Sequence, residues 1–346
     1  MGTLRIILAI SVMIDHMGSV FGYSLIGGNM AVQSFFIISG FYMSLILNEK
    51  YIGKSKSYFL YISNRFLRIY PIYYLSVIAT LVLLLFTNQL HGIIQISLTS
   101  ILYLIKEATI FVTNDYLFYI AKTYDNNIVF QSWSIGLEIL FYFIAPFIVR
   151  NIRILLLFFI ISILARILFA HIFQIYPGGH VNHFFPTEIV YFIIGALSYR
   201  LYSYVKRLNK NKLFPLVSIL FICLTLIYQL ILSLPHANIT EWVYYLSLAL
   251  SIPFLFHFSK NIAIDRLLGD LSYPVYLFHV FCINIFLNMK FQETNVLKVV
   301  MLVTTILVAF FVDKFISVPF EILRQKRVKK AFIKTELPNS ELQVLP

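Results

Sequence analysis

The chain has 346 residues, of which 60% are hydrophobic, 17% aromatic and only 12% charged, with a mean hydropathy of +0.85. Such a composition excludes a soluble globular domain and predicts an all-α polytopic membrane protein. The formal net charge of +12 would suit a nucleic-acid binder, but the basic residues fall at the ends of apolar stretches as topology signals, so nucleic acid is excluded as a partner and membrane lipid is expected instead.

About ten transmembrane helices are expected, over 4–25, 30–48, 70–87, 133–149, 152–171, 186–203, 214–233, 241–258, 270–290 and 297–318. With both termini cytoplasmic, most of the 27 Lys and Arg lie on the inner side, and only Lys106, Lys122, Lys290 and Lys298 fall outside. The stretch 93–113 carries Lys106 and Glu107 and is expected to lie on or dip into the membrane. As an eleventh span it would put the basic 200–212 loop outside, against the positive-inside rule. The membrane domain is expected to cover 1–323, followed by a basic and then polar tail over 324–346.

The first span, RIILAISVMIDH (5–16), holds Arg5 and His16 eleven residues apart. At about 100° per residue they differ by about 20° and share a face. A charged residue at mid-membrane costs about 2.5–3.5 kcal/mol, so both are candidate functional groups. Asp15 lies about 100° round the helix and is expected to bond a neighbouring helix. Asp15 and His16 also argue against a signal peptide.

In the second span, Ser39, Gly40 and Ser44 would let a neighbouring helix approach closely. SNRFLRIYPIYYL (63–75) places Arg65 and Arg68 on one face of a short helix, with Pro71 in the first turn of the next. Two guanidiniums on one face suit a phosphorylated ligand; simple positive-inside anchoring is the other reading. The fourth span opens with QSWSIGLEILFYFIAP (131–146), where Trp133 belongs at an interface and Glu138 needs a partner in the apolar segment. Glu138 lies about 7 Å and His16 about 13 Å from the outer side, so an interaction between them, structural or functional, is expected.

Farther along, His171, His180 and His183 lie in HIFQIYPGGHVNHFFPTE (171–188), but Pro177, Gly178, Gly179 and Pro186 break the helix that metal ligation at that spacing would need. No metal is expected. Cys223 and Cys282 fall within spans and suggest neither a disulfide nor a cluster. The ninth span contains Ser272, Tyr273, Tyr276 and His279. His279 is expected to be satisfied by the hydroxyls of Ser272 and Tyr276 and to play a supporting role.

Taken in order, Arg5 with His16, SFFIISGF (34–41), NRFLRIYP (64–71), SWSIGLE (132–138), YFIIGALSY (191–199) and LSYPVYLFH (271–279) resemble the acyltransferase-3 family of integral-membrane sugar O-acyltransferases, over nearly the whole chain. The family usually ends its last helix with a glutamate two residues before a proline, whereas VPFEILRQK (318–326) reverses that order at Glu321. The resemblance implies transfer of an acetyl group from cytoplasmic acetyl-CoA to a hydroxyl of O-antigen, capsule, exopolysaccharide or a related lipid-linked glycan, in a bacterial inner membrane.

Residues and resemblance together assign expected roles. Arg5, Arg65 and Arg68 would pair the donor phosphates. His16 would act as general base on a sugar hydroxyl, or alternatively attack the thioester itself. Glu138 would orient the imidazole, and Trp133, Ser272, Tyr273, Tyr276 and His279 would support or contact substrate. A glycan polymerase or lipid-linked sugar flippase would also be polytopic and basic inside, as would a non-catalytic scaffold, but none of these needs the Arg5 and His16 register together with paired arginines.

Overall fold

The computed structural model describes residues 1–50, 57–87, 128–172, 184–208, 212–232 and 237–336. The 93–113 stretch, His180 and His183 lie outside the described residues. The described elements are α1 (Gly2–Met17), α2 (Gly28–Glu49), α3 (Ser57–Phe86), α4 (Ser132–Ile148), α5 (Ile152–Ile172), α6 (Phe185–Val205), α7 (Leu213–Leu232), α8 (Ala237–Ser259), α9 (Ala263–Asn288), α10 (Asn295–Val312), a π-helical segment (Asp313–Ser317) and α11 (Val318–Glu336). No strand occurs among the described residues beyond one isolated bridge, Val20 with Tyr23. A multi-pass membrane protein follows: among the described residues seven helical stretches are long and apolar enough to cross a bilayer, and α4 is a shorter apolar helix.

Three boundaries differ from the expected spans. The first helix stops at Met17 rather than running to 25, because Gly18 adopts φ 78, ψ 162, a conformation open essentially to glycine alone. Gly27, at φ 80, ψ 162, closes the intervening loop and releases the chain into α2. Second, Arg65, Arg68 and Pro71 sit inside one 30-residue helix, not on a short helix followed by a new span. Proline lacks the N–H that would bond the carbonyl four residues back, so the α3 ladder loses one rung at Leu67 but continues. Third, the last helix does not end near 318; the π-helical segment relays it into α11.

The centre of the bundle is the α2–α6 contact, built on glycine. A Cβ on Gly40 would lie 1.9 Å from the Phe192 carbonyl oxygen, and one on Gly195 would lie 1.8 Å from that of Ile37. This is the close backbone approach that small residues permit in lipid, where apolar burial drives no helix association. Phe192 then stacks on Phe36 and Phe141 with ring centroids 4.6 and 4.4 Å apart, tying α4 to the same core. By contrast α5 and α7 turn large apolar side chains outward, among them Leu157, Ile160, Leu164, Leu216 and Leu220. Exposed apolar faces of that extent belong against lipid.

Candidate functional site

The site is laid out by α1 and α9, which run parallel and in register. At one end the Asp265 carboxylate accepts from the backbone N–H groups of Gly2 (2.7 Å) and Thr3 (2.8 Å), capping α1 from a neighbouring helix. The glycines make this possible: a Cβ on Gly2 would lie 1.5 Å from the Asp265 carbonyl oxygen, and one on Gly269 would lie 3.1 Å from Gly2 Cα. Between the ends, Ile6 and Ala9 pack with Leu271 and Val275. Fourteen residues on from Gly2 and Asp265, His16 meets His279, so both helices have climbed about 21 Å.

Arg5, at the Asp265 end, stands at a neck between two cavities. The outer one, about 390 Å³, is lined by Arg266, Asp270, Glu321 and Arg324 among others. The inner one, about 90 Å³, runs on to Ser39, Glu138, Ser134 and Tyr276. Arg5, Tyr42, Arg68 and Tyr273 line both. Among the described residues, neither the Arg5 nor the Arg68 guanidinium makes a hydrogen bond or ion pair, and Asp270 and Glu138 are carboxylates whose charge acts on both. Two forked donors with open valences, side by side at a constriction, form a site for an anion with several oxygens. Leu67 and Pro71 also line the outer cavity, where the proline gap in α3 falls.

Arg65 stands apart from this pair. It is 6% exposed, lies 5.9 Å from the Tyr142 ring and lines neither of these cavities. The expected joint action of Arg65 and Arg68 on one phosphate therefore does not match the geometry; Arg5 and Arg68 are the pair that meets.

The structure does not bring Glu138 to His16 either. The Glu138 carboxylate accepts from Ser39 Oγ (2.7 Å) and from the Tyr142 hydroxyl (2.5 Å), and faces the inner cavity. His16, in the last turn of α1, makes no hydrogen bond among the described residues; its ring stacks on His279 with centroids 5.0 Å apart and planes at 15°, and takes an edge contact from Phe130 at 5.4 Å. His16 lines neither cavity. His279 is fully buried, and its Nδ1 lies 2.7 Å from the Tyr276 carbonyl oxygen rather than on a Ser272 or Tyr276 hydroxyl. A carbonyl only accepts, so Nδ1 carries the hydrogen and Nε2 holds a lone pair, buried and without a partner.

Three of the remaining expected residues, Ser272, Tyr273 and Tyr276, line the inner cavity. Ser272 Oγ donates to the Gly269 carbonyl (2.7 Å), and the Tyr273 hydroxyl donates to that of Ile69 (3.2 Å). Tyr276 Oη lies 2.6 Å from Ser134 Oγ, and the Tyr276 ring is 5.9 Å from that of His279, so Tyr276 stands between the inner cavity and the two imidazoles. Trp133 is buried near the start of α4. Asp15 is exposed and reaches the N-terminus of α2, where a Cβ on Gly28 would lie 2.5 Å from its Oδ2; a carboxylate there is favoured by the helix dipole. Glu321 pairs with Arg324 and accepts from Gln325 (3.0 Å) at the rim of the outer cavity.

Sequence reasoning missed a second polar centre. Arg166 Nη1 donates to Glu188 Oε1 at 2.7 Å and to the Thr187 carbonyl at 2.9 Å, beneath the rings of Tyr191 (5.1 Å) and Trp242 (5.9 Å). Glu188 is fully buried. Arg166, the cation in the middle of the apolar run 154–170, was the available signal, and its partner lies on the next described helix. This pair joins α5 to α6 and lines neither cavity. Among the described residues no three His, Cys, Asp or Glu side chains come together as metal ligands.

A family model described as an acyltransferase domain matches residues 2–314, which include both cavities' arginine neck and the histidine stack. No curated protein and no solved structure matches the chain.

Proposed function

Since the chain belongs to the acyltransferase-3 family, and is therefore an acyltransferase, we propose that it moves an acetyl group from acetyl-CoA to a hydroxyl of a cell-surface or lipid-linked glycan. The observation that carries this reading is the neck at Arg5 and Arg68: two guanidiniums without hydrogen bonds, opening on one side to a wide cavity and on the other to a narrow one. A nucleotide thioester has that shape, with a bulky polyanionic head and a slender arm ending in the acyl group.

The positive-inside rule places the neck end in the cytoplasm, where the donor is made, and a bacterial inner membrane is the corresponding location. The parallel run of α1 and α9 supports an odd number of crossings between them, as the ten-span arrangement has, because helices that cross in the same direction are separated by an odd number.

Donor phosphates bind Arg5 and Arg68, and the arm threads past Tyr42 and Tyr273 toward Tyr276. On the far side His16, exposed and free of hydrogen bonds, takes the proton of the acceptor hydroxyl as general base. Glu138 acts on the donor side instead, as the countercharge that lets two arginines share one neck.

Purified protein in liposomes, given labelled acetyl-CoA and a glycan acceptor, tests this reading. Transfer by the wild type and none by His16→Ala is the expected result; equal transfer by both removes His16 from the chemistry.

A further inference from the structure

A thioester carbonyl under attack becomes an oxyanion, and the account above leaves that charge without a donor. We infer that the Tyr276 hydroxyl supplies it, which makes Tyr276 a catalytic residue; the inference rests on the acyl-transfer reading just given.

Its position comes first. Of the three α9 residues that line the inner cavity, Ser272, Tyr273 and Tyr276, the last is farthest along the helix from Gly269, beside which Arg5 lies, and there the acyl end of an arm threaded from the Arg5 and Arg68 neck would arrive. On its other side the ring lies 5.9 Å from His279, which lies 5.0 Å from His16.

The hydrogen-bond inventory comes second. Ser134 Oγ donates to the Gln131 carbonyl at 3.0 Å, and a serine has one hydrogen to give. The 2.6 Å contact between Ser134 Oγ and Tyr276 Oη is therefore a donation from the tyrosine. When the thioester arrives, the phenol hydrogen turns to its oxygen, and Ser134 remains bonded to Gln131, so the switch leaves no buried donor without a partner. Of the other hydroxyls on this cavity, those of Ser39 and Tyr142 are on Glu138, Tyr273 is on Ile69 and Ser272 is on Gly269, while Tyr42 stands at the neck, where it lines both cavities. The Tyr276 backbone is itself pinned, with its carbonyl accepting from Gln131 Nε2 at 3.1 Å and from His279.

In the step so assigned, the acceptor oxygen forms a bond to the carbonyl carbon while its proton passes to the His16 nitrogen. The carbonyl π pair moves onto the oxygen, held by the Tyr276 hydrogen. On collapse the carbon–sulfur bond breaks, and the thiolate leaves with the proton from His16 as free coenzyme A thiol.

The test measures kcat, donor KM and the affinity for a trifluoromethyl ketone analogue of acetyl-CoA, whose hydrate mimics the tetrahedral intermediate. Tyr276→Phe is expected to lower kcat about 100- to 1,000-fold, the usual loss for one oxyanion donor, with donor KM and coenzyme A affinity unchanged. The wild type is expected to bind the ketone at least tenfold tighter than coenzyme A, and the variant to lose that preference. A wild type with no preference for the ketone overturns the inference whatever the variant does. So does a Tyr276→Phe enzyme with wild-type kcat, or one whose losses in ketone and coenzyme A affinity are equal. Absence of transfer by the wild type instead refutes the acyl-transfer reading itself.

Discussion

His16 stacks on His279 at 5.0 Å, with the ring planes 15° apart, and the contact is set at the other end of the same two helices, where Gly2 and Gly269 let the backbones touch. The imidazole assigned as base is thus held by another imidazole and not by a carboxylate.

That arrangement separates Glu138 from the base. In enzymes where a carboxylate orients the catalytic histidine, replacing it by the amide costs about 10⁴-fold in kcat. Here Glu138→Gln keeps the acceptor for Ser39 and Tyr142 and removes only the countercharge of the arginine neck. We expect kcat to fall less than about tenfold, because no hydrogen bond links the two groups, and donor KM to fall, because the neck becomes more positive. Steady-state kinetics check both; a fall approaching the triad value would return Glu138 to His16.

The two arginines of the Arg65 and Arg68 pair are expected to behave differently. Arg68→Ala removes a forked donor at the neck and should weaken donor binding about 10- to 150-fold, the equivalent of 1.5–3 kcal/mol for hydrogen bonds to a charged group. Arg65→Ala, which removes a guanidinium lining neither cavity, should change donor affinity by less than about threefold while lowering the melting temperature, since it empties a buried site. Calorimetric binding of coenzyme A to both variants decides the matter, and equal losses would contradict the assignment.

Gly195→Ala brings a Cβ to within 1.8 Å of the Ile37 carbonyl oxygen, and Gly40→Ala meets that of Phe192 at 1.9 Å. Backbone cannot yield as a side chain can, so α2 and α6 must separate. Overpacking of this kind costs about 1–3 kcal/mol or more, and each variant should unfold in detergent several degrees below the wild type. An unshifted melting curve would show that the two helices do not meet at these glycines.

The Arg166 and Glu188 pair predicts a non-additive result. Arg166→Met leaves the fully buried Glu188 carboxylate uncompensated, at a cost of about 3–5 kcal/mol, whereas Arg166→Met with Glu188→Leu removes both charges and should recover most of the loss. Thermal unfolding of the two variants measures this. A double variant no more stable than the single one would show that the pair does more than hold α5 to α6.

The sequence carried the elements well and their meetings poorly. Arg5 and His16 were legible as one face of one helix because that depends on spacing alone. The end of that helix was missed because an apolar count carried on to 25 runs through Gly18 and Gly22, although glycines at such intervals announce a loop. Pro71 suggested a helix start, since proline is tolerated there, yet α3 continues through it at the cost of one backbone bond. Which cations share a site depends on the register between distant helices. That register is fixed by contacts such as Gly2 with Asp265, and nothing within α1 or α9 alone encodes it. The same holds for Glu138: its depth relative to His16 was a matter of counting, but its partners on α2 and α4 were not.

The proposed reaction requires donor and acceptor to reach the site from opposite faces of the membrane. Proteoliposomes of a single orientation, with labelled acetyl-CoA confined to the Arg5 and Arg68 side and glycan to the His16 side, test it most directly. Label is expected to appear on the glycan in that arrangement and not when the two substrates are exchanged. Transfer that requires both substrates on one face, or proceeds equally in either arrangement, would contradict it.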